Sequence, residues 1–411
     1  MAKKLRIGIL FGGRSGEHEV SLLSAASILE AIDRKKFDVV PIGITRAGRW
    51  VTASAAQQLL GGSQPAASGK PLRAGDPAAT SGAAVLARGE AVLIPPVPPE
   101  PGLSASRSAT ATLVPFETDR ARISATSAQP PLQLDVIFPV LHGTFGEDGT
   151  VQGLLELAGI PYVGSGVLGS AAGMDKDVMK RLFAAAGLPI VPHITILRSE
   201  LGKGSKAVTK RTETALRYPL FVKPANLGSS VGISKVHDRA ELAPALALAA
   251  SYDRKIVIEQ GVQGTGARSG KARELEVAVL GNDDPQASVV GEIVPGKEFY
   301  DYEAKYLSEG SVPLIPAPIS KAQTKEVREM AIAAFRACDC SGLARVDFLL
   351  NPSTGKIFLN EINTLPGFTS ISMYPKLWAA SGLAYRDLIT RLIELAIERA
   401  ADRSQNHYSR E

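Results

Sequence analysis

Apolar positions along this chain switch repeatedly between strand-like runs and helix-like spacing, which is the pattern of an α/β protein. Residues 5–11 form a short apolar run ending in Gly12 and Gly13. Leu22, Ala25, Ala26, Leu29 and Ile32 then recur at helical spacing across residues 21–32, and Phe37–Ile44 reads as the next strand. Strand, glycine turn, helix and strand make the opening of an α/β unit. The alternation resumes at residues 135–140. After Met174, residues 219–223 and 255–259 read as strands around an alanine-rich helical segment, 239–250. A third region begins near residue 264, with strands at 274–280, 344–350 and Ile357–Asn363, and a long helix over about 385–401 closes it. The residues beyond are polar and read as a frayed end. No internal repeat is found.

The pattern breaks between residues 53 and 131, where Ala, Ser, Pro and Gly dominate. That composition predicts an elaborated insertion, not a separate core, although 91–94 is apolar enough for a strand. Elsewhere the chain is rich enough to fold: 45% of its 411 residues are hydrophobic and 21% charged. A length of 411 predicts two or three packed units. The net charge of +5 raises the question of a nucleic-acid partner, but 46 basic residues lie scattered among 41 acidic ones without a basic stripe. Cys338 and Cys340 are too close for an easy disulfide and have no further cysteine to complete a zinc site. The apolar stretch at the N-terminus is too short to span a bilayer. These features predict a cytoplasmic protein with neither membrane nor nucleic acid as partner.

Several constellations could carry chemistry. Lys223 ends a strand and leads into a Gly/Ser loop, 224–232. Such a loop lets backbone N–H groups approach phosphate oxygens while lysine adds a point charge; an ordinary hairpin loop would look the same. Strand alternation puts Arg345 and Asp347 on one face, and Glu361 and Asn363 on one face of the following strand. If these strands pair, Asp347, Glu361 and Asn363 converge as oxygen donors suited to Mg²⁺, with Arg345 beside them. The plain alternative is a solvated sheet face with casual ion pairs. Glu17 follows the first strand and could hold a substrate ammonium. His142 stands in the crevice position after strand 136–140, whereas Asp148 reads better as the start of a helix. An interleaved aromatic and charged stretch, 299–306, reads as a lid or a nucleic-acid patch, and its single lysine favours the lid.

Taken together, GGRSGEHEVSL, HGTFGEDGTVQGLLELAGIPYVGSG, MDK, KPANLGSSVGISKV, YDYEAKYL, RVDFLL and NEINTLPGFTSIS resemble, in order, the D-alanine–D-alanine ligase family of the ATP-grasp superfamily. They span nearly the whole chain apart from the insertion. The resemblance implies a three-domain ATP-grasp fold with an N-terminal Rossmann-like domain: residues 1–164, 165–263 and 264–401, then a polar tail, 402–411. It implies ATP and two Mg²⁺ ions as cofactors, with Mn²⁺ as a substitute, D-alanine as substrate, and a homodimer. Lys176, Lys223, Ser230, Glu259 and Val262 would contact ATP, and Glu274 its ribose. Asp347, Glu361 and Asn363 would bind the metals. Glu17 would hold the first D-alanine, with Ser229 and Tyr306 joined to it over the site. Lys305 would lie over the transferred phosphate. Arg345 and the Gly367 N–H would stabilise the tetrahedral intermediate, Ser372 would meet the second carboxylate, and His142 would lie near the substrates. A related ligase making the D-alanyl-D-lactate ester is the alternative.

Overall fold

The computed structural model describes residues 4–52, 90–93, 111–115, 132–202, 204–265, 270–294, 312–369 and 371–407. Most of the insertion and the expected lid, with Lys305 and Tyr306, lie outside the described residues.

The first sheet is built on β1 (Leu5–Gly12), followed by α1 (His18–Ala31) and β2 (Phe37–Ile44). Next come β3 (Trp50–Thr52), β4 (Glu90–Leu93), β5 (Ala111–Pro115), β6 (Leu132–Leu134) and β7 (Val136–Val140). The sheet order is β6-β5-β4-β3-β2-β1-β7. Strands β2 and β7 run parallel to β1 on either side, and β3 to β6 extend the sheet antiparallel. A central parallel strand is covered on both faces, which is why β1 is apolar and buried from Ile7 onward, after Arg6. Gly12 ends β1 at φ +91°, and a Cβ there would lie 2.2 Å from the Ile44 carbonyl oxygen. Only glycine lets the two strands finish side by side. The strand expected at 91–94 is met by β4, one residue earlier, so the insertion supplies strands to this sheet.

Helix α1 starts at His18, three residues before the apolar spacing predicts. The reason lies in its inner face: His18, Ser21 and Ser24 are buried polar residues, invisible to a search for apolar periodicity. Ser21 accepts a hydrogen bond from the Gly12 N–H at 2.7 Å and donates to the Val140 carbonyl. One hydroxyl thus pins the helix start to the carboxyl ends of β1 and β7.

Helices α2 (Thr150–Leu157), α3 (Val167–Met174) and α4 (Lys176–Ala185) lead to a central antiparallel sheet. It contains β8 (His193–Leu197), and after α5 (Arg198–Leu201) and α6 (Ser205–Ala215), β9 (Leu220–Pro224) and β10 (Ser234–Val236). Helix α7 (Arg239–Tyr252) and β11 (Lys255–Gln260) complete it in the order β10-β9-β11-β8. Asp238 caps α7 by accepting from the Ala240 and Glu241 N–H groups, and Leu242, Leu246 and Ala249 bury the helix against Val222, Ile256 and Ile258.

A two-stranded hairpin, β12 (Gln263–Gly264) and β13 (Gly270–Lys271), precedes the last sheet. That sheet contains β14 (Arg273–Gly281), β15 (Gln286–Val294) and β16 (Val312–Leu314), then, after α8 (Lys321–Ala337), β17 (Gly342–Leu350) and β18 (Ile357–Asn363). All neighbours in its order, β16-β15-β14-β17-β18, are antiparallel. Helices α9 (Met373–Ala380) and α10 (Tyr385–Arg403) close the chain.

The first and last sheets share one apolar cluster: Ile7, Ile9, Phe138 and Val140 join Leu388, Leu392 and Tyr374 in it. Phe368 is its hinge point. Its ring centroid lies 5.9 Å from that of Phe138, 5.7 Å from Tyr374 and 5.6 Å from Tyr385. Its N–H donates to Ser24 Oγ at 3.2 Å and its carbonyl accepts from the Tyr385 hydroxyl at 2.6 Å. Phe368→Ala is expected to cost about 3–5 kcal/mol through the cavity it leaves. Denaturant unfolding measures this, and a loss below about 1 kcal/mol would show that the cluster does not join the two sheets energetically.

Candidate active site

A cavity of about 660 Å³ opens between the central sheet and the last one, and the carboxyl end of the first sheet reaches into it. Glu17, His142, Lys223, Ser229, Ser230, Glu259, Val262, Glu274, Arg345, Asp347, Glu361, Asn363, Gly367 and Ser372 all line it. Lys176 is not in the lining; its ammonium is buried and donates to the Leu227 carbonyl at 2.7 Å, bracing the Gly/Ser loop from behind.

At the inner end, Glu17 is 7% exposed and stands where α1 begins. Ser15 holds that turn, accepting from the Glu17 N–H at 3.2 Å and donating to the His142 carbonyl at 2.6 Å. His142 is buried, with Nδ1 2.9 Å from the Leu365 carbonyl and Nε2 3.1 Å from Ser24 Oγ. Burial lowers its pKa, outweighing the nearby Glu17 carboxylate and the bond to Leu365. The imidazole is therefore neutral, donating from Nδ1 and accepting at Nε2. It ties the end of β7 to the 364–368 segment.

Glu147 also reaches this end of the cavity and carried no signal in the sequence reading. One of its oxygens accepts from the Gly143 N–H at 2.8 Å. Burial, then the charge of Glu17, pushes its carboxyl up to about 8, against the opposing pull of Gly143, Leu365 and Lys176. At neutral pH it is largely a protonated acid beside an acidic neighbour, as two close carboxyls in a dry site must be.

The loop after Lys223 comes very close to Glu17. A Cβ at Gly228 would lie 2.7 Å from Glu17 Oε1, so glycine is required there if that carboxylate is to keep its place. Ser229 and Ser230 follow in the left-handed region, at φ +50° and +59°. That conformation is uncommon for serine and is the kind of local strain found where a loop serves a ligand.

The register of the last sheet sets the polar wall. Arg345 pairs with Asn363 and Asp347 with Glu361 across β17 and β18. On the other side Asp347 pairs with Glu276 of β14. Glu276, Asp347 and Glu361 thus form one row across three strands, a row of which the sequence reading had only two members. Arg345 Nε and an Nη each lie 2.7 Å from one Asp347 oxygen, and Nε lies 3.3 Å from Glu276. Among the described residues, no three His, Cys, Asp or Glu side chains gather closely enough to hold a metal as they stand.

Two further groups complete the cavity. Ser372 stands at the N-terminal cap position of α9, but its Oγ makes no bond to the helix and instead accepts from the Thr369 N–H at 3.1 Å. The start of that helix, with Lys376 one turn on, faces the cavity and gives it a positive end. Gly367, next to the Phe368 hinge, packs directly against Ser372: a Cβ there would lie 3.0 Å from its Oγ. At the outer end Phe221, Val262 and Leu349 make an apolar wall near Glu259 and Glu274. Glu259 is ion-paired on both sides, to Lys223 at 2.6 Å and to Lys180 at 2.9 Å. Burial alone would raise its pKa, but Lys180 and Lys223 outweigh it and bring the carboxyl down to about 2.

Family models for the D-ala D-ala ligase N-terminus and C-terminus match residues 6–165 and 182–394. The chain belongs to the D-alanine–D-alanine ligase family. It is 48% identical over 404 residues to a D-alanine–D-alanine ligase of Heliobacterium modesticaldum, covering 98% of this chain and 97% of that protein. It is also 48% identical over 400 residues to D-alanine–D-alanine ligase A of Escherichia coli K12, covering 97% of each. Among solved structures it is similar to the D-alanine-D-alanine ligase from Coxiella burnetii, with TM-score 0.74 and 34% identity over 98% of this chain and 97% of that one. The VanG D-Ala:D-Ser ligase from Enterococcus faecalis gives TM-score 0.76 and 34% identity over 96% and 100%. The structural relatives place the chain in the ATP-grasp fold.

The Glu147 carboxyl yields a pH test. Its pKa rises from 4.5 in the unfolded chain to about 8 in the fold. The fold keeps a proton that the unfolded chain releases, so this contribution to stability is full below about pH 4.5 and is lost as pH rises towards 8. Glu147→Gln removes that dependence. Between pH 5 and 8 the variant should gain about 2–4 kcal/mol relative to the parent. Melting curves across this range are the measurement; parallel profiles for the two proteins would contradict the assignment.

Proposed function

We propose that this chain joins two D-alanine molecules into D-alanyl-D-alanine, converting ATP to ADP and phosphate, and so supplies bacterial cell-wall synthesis. The observation that carries this reading is the placing of Glu17 and the Glu276–Asp347–Glu361 row in one cavity, with Arg345 paired to Asp347 and Glu276 and with Lys223 in the same lining. A site built to bind one ammonium and to manage several phosphate charges suits a reaction that activates an amino acid's carboxylate with a nucleotide.

The residues fit an adenine nucleotide along the outer half. Phe221 and Val262 offer apolar surface for a base, and Glu274, Lys223 and Ser230 line the same cavity; Glu274 would meet the ribose, and Lys223 and the loop at Ser230 the phosphates. Magnesium also fits by donor type. Asp347 and Glu361 are carboxylates in register, Asn363 adds an amide oxygen, and Mg²⁺ characteristically binds one or two carboxylates with phosphates completing its shell. The Arg345 guanidinium already spans both Asp347 oxygens, showing that this face accommodates positive charge. Two Mg²⁺ or Mn²⁺ ions, when bound, would neutralise charge on the phosphates during transfer.

Glu17 orients the first D-alanine through its ammonium, so that its carboxylate meets the γ-phosphate and forms an acyl phosphate. Glu147, largely neutral, leaves Glu17 as the charge that binds. Arg345 and the Gly367 N–H bear on the oxygen that gains charge when the second amine attacks the carbonyl. Ser372 and the start of α9 receive the second carboxylate, and neutral His142 holds the 364–368 segment in place. The bond from the carbonyl carbon to the phosphate oxygen then breaks, inorganic phosphate leaves, and the attacking amine gives up its proton to it as the amide forms.

We read the enzyme as a cytoplasmic homodimer without nucleic-acid or membrane partners. In support, no helix among the described residues is long and apolar enough to cross a membrane, and its charge is scattered.

The test is ADP and dipeptide formation from ATP, Mg²⁺ and D-alanine, with D-serine and D-lactate as competing acceptors. D-alanyl-D-alanine should dominate at neutral pH; ester as the main product would replace this reading with the depsipeptide alternative. Asp347→Asn and Glu361→Gln should each lower turnover by about 100-fold or more, with melting temperature kept. Near-parental turnover in both at saturating Mg²⁺ would remove the metal assignment.

A further inference from the structure

Lys180 lies one turn beyond Lys176 on α4, and its side chain is entirely enclosed. It does not line the cavity. A fully buried ammonium is costly unless it is paired, so its presence calls for a reason in what it touches. Its Nζ lies 2.9 Å from one Glu259 oxygen and 3.2 Å from the Asn360 carbonyl. The other Glu259 oxygen is held by Lys223 at 2.6 Å. Four elements meet at this point: α4 brings Lys180, β9 brings Lys223, β11 brings Glu259, and β18 brings Asn360, which is followed directly by Glu361. Lys223, Glu259, Asn360 and Glu361 all face the cavity, and Lys180 stands behind them.

The arrangement divides one carboxylate between two cations. With Lys180 in place, Glu259 cannot turn wholly to Lys223, so the Lys223 ammonium keeps charge to offer the cavity. Without it, the Glu259 carboxylate would draw Lys223 inward, and β18 would lose a tie to α4. We propose that Lys180 is a positioning residue for the nucleotide half of the site: it shares Glu259 with Lys223 and so holds Lys223 towards the phosphates. This rests on the ATP reading given above.

The experiment is calorimetric titration of ATP into the parent, Lys180→Met, Glu259→Gln and the double variant, with steady-state kinetics and melting temperatures for each. Lys180→Met should weaken ATP binding at least tenfold while the KM for D-alanine stays within twofold. If Lys180 acts through Glu259, adding Lys180→Met to Glu259→Gln should change ATP affinity less than twofold. It should also raise the melting temperature there, because Gln leaves Lys180 a buried cation without its counter-charge, whereas in the parent background it should lower it. Parental ATP affinity in Lys180→Met would overturn the proposal, as would a further tenfold loss in the Glu259→Gln background. Should Lys180→Met fail to fold, the comparison of Glu259→Gln with the double variant decides alone. Failure of the parent to bind ATP would instead overturn the reading of the site as an ATP site.

Discussion

The register of β17 between β14 and β18 is the constraint on which the site depends. It sets Glu276, Asp347 and Glu361 in one row and Arg345 opposite Asn363. Side chains alternate along a strand, so a slip by one residue would turn this row into the core and bring Ala344 and Val346 to the cavity. Both are buried in the apolar cluster under α8, and that burial is what forbids the slip. The apolar face of the sheet therefore fixes the polar one, and the geometry of the proposed site follows from packing on the side away from the cavity.

Charge is managed differently at the two ends of the cavity. At the inner end two carboxyls, Glu17 and Glu147, share a dry corner, and the conflict is relieved by a proton on Glu147. At the outer end one carboxylate, Glu259, is held by two lysines and stays ionised. Removing one partner from the outer set costs about 3–5 kcal/mol. Between them, the Phe368 contacts and the Ser24 and His142 bonds join the first sheet to the last. The groups proposed to hold an amino acid and those proposed to handle phosphate are thereby tied together.

Much of this was legible in the sequence where side-chain period and function coincide. Alternation placed Arg345, Asp347, Glu361 and Asn363 on shared faces before any strand pairing was known, and the strand and helix positions held to within a few residues. The start of α1 was misplaced because its first residues, His18 and Glu19, are polar, although His18 is buried. Glu147, Lys180 and Glu276 were missed for a related reason. Each owes its role to a partner distant in sequence: Glu17 for the first, Glu259 for the second, Asp347 for the third. Glu276 could have been found from alternation along β14, since it shares a face with Glu274. Nothing in local sequence marks Lys180, which differs from any exposed lysine only by its burial.

The central claim is that an amino acid's carboxylate is activated by phosphoryl transfer in this cavity before the second amino acid attacks. D-Alanine labelled with ¹⁸O in both carboxylate oxygens tests it directly, because the oxygen that takes the phosphoryl group leaves with it. Mass spectrometry of the inorganic phosphate should show one ¹⁸O atom per dipeptide formed. Dipeptide formed with unlabelled phosphate would mean that no acyl phosphate is made, and the account of the site would be wrong.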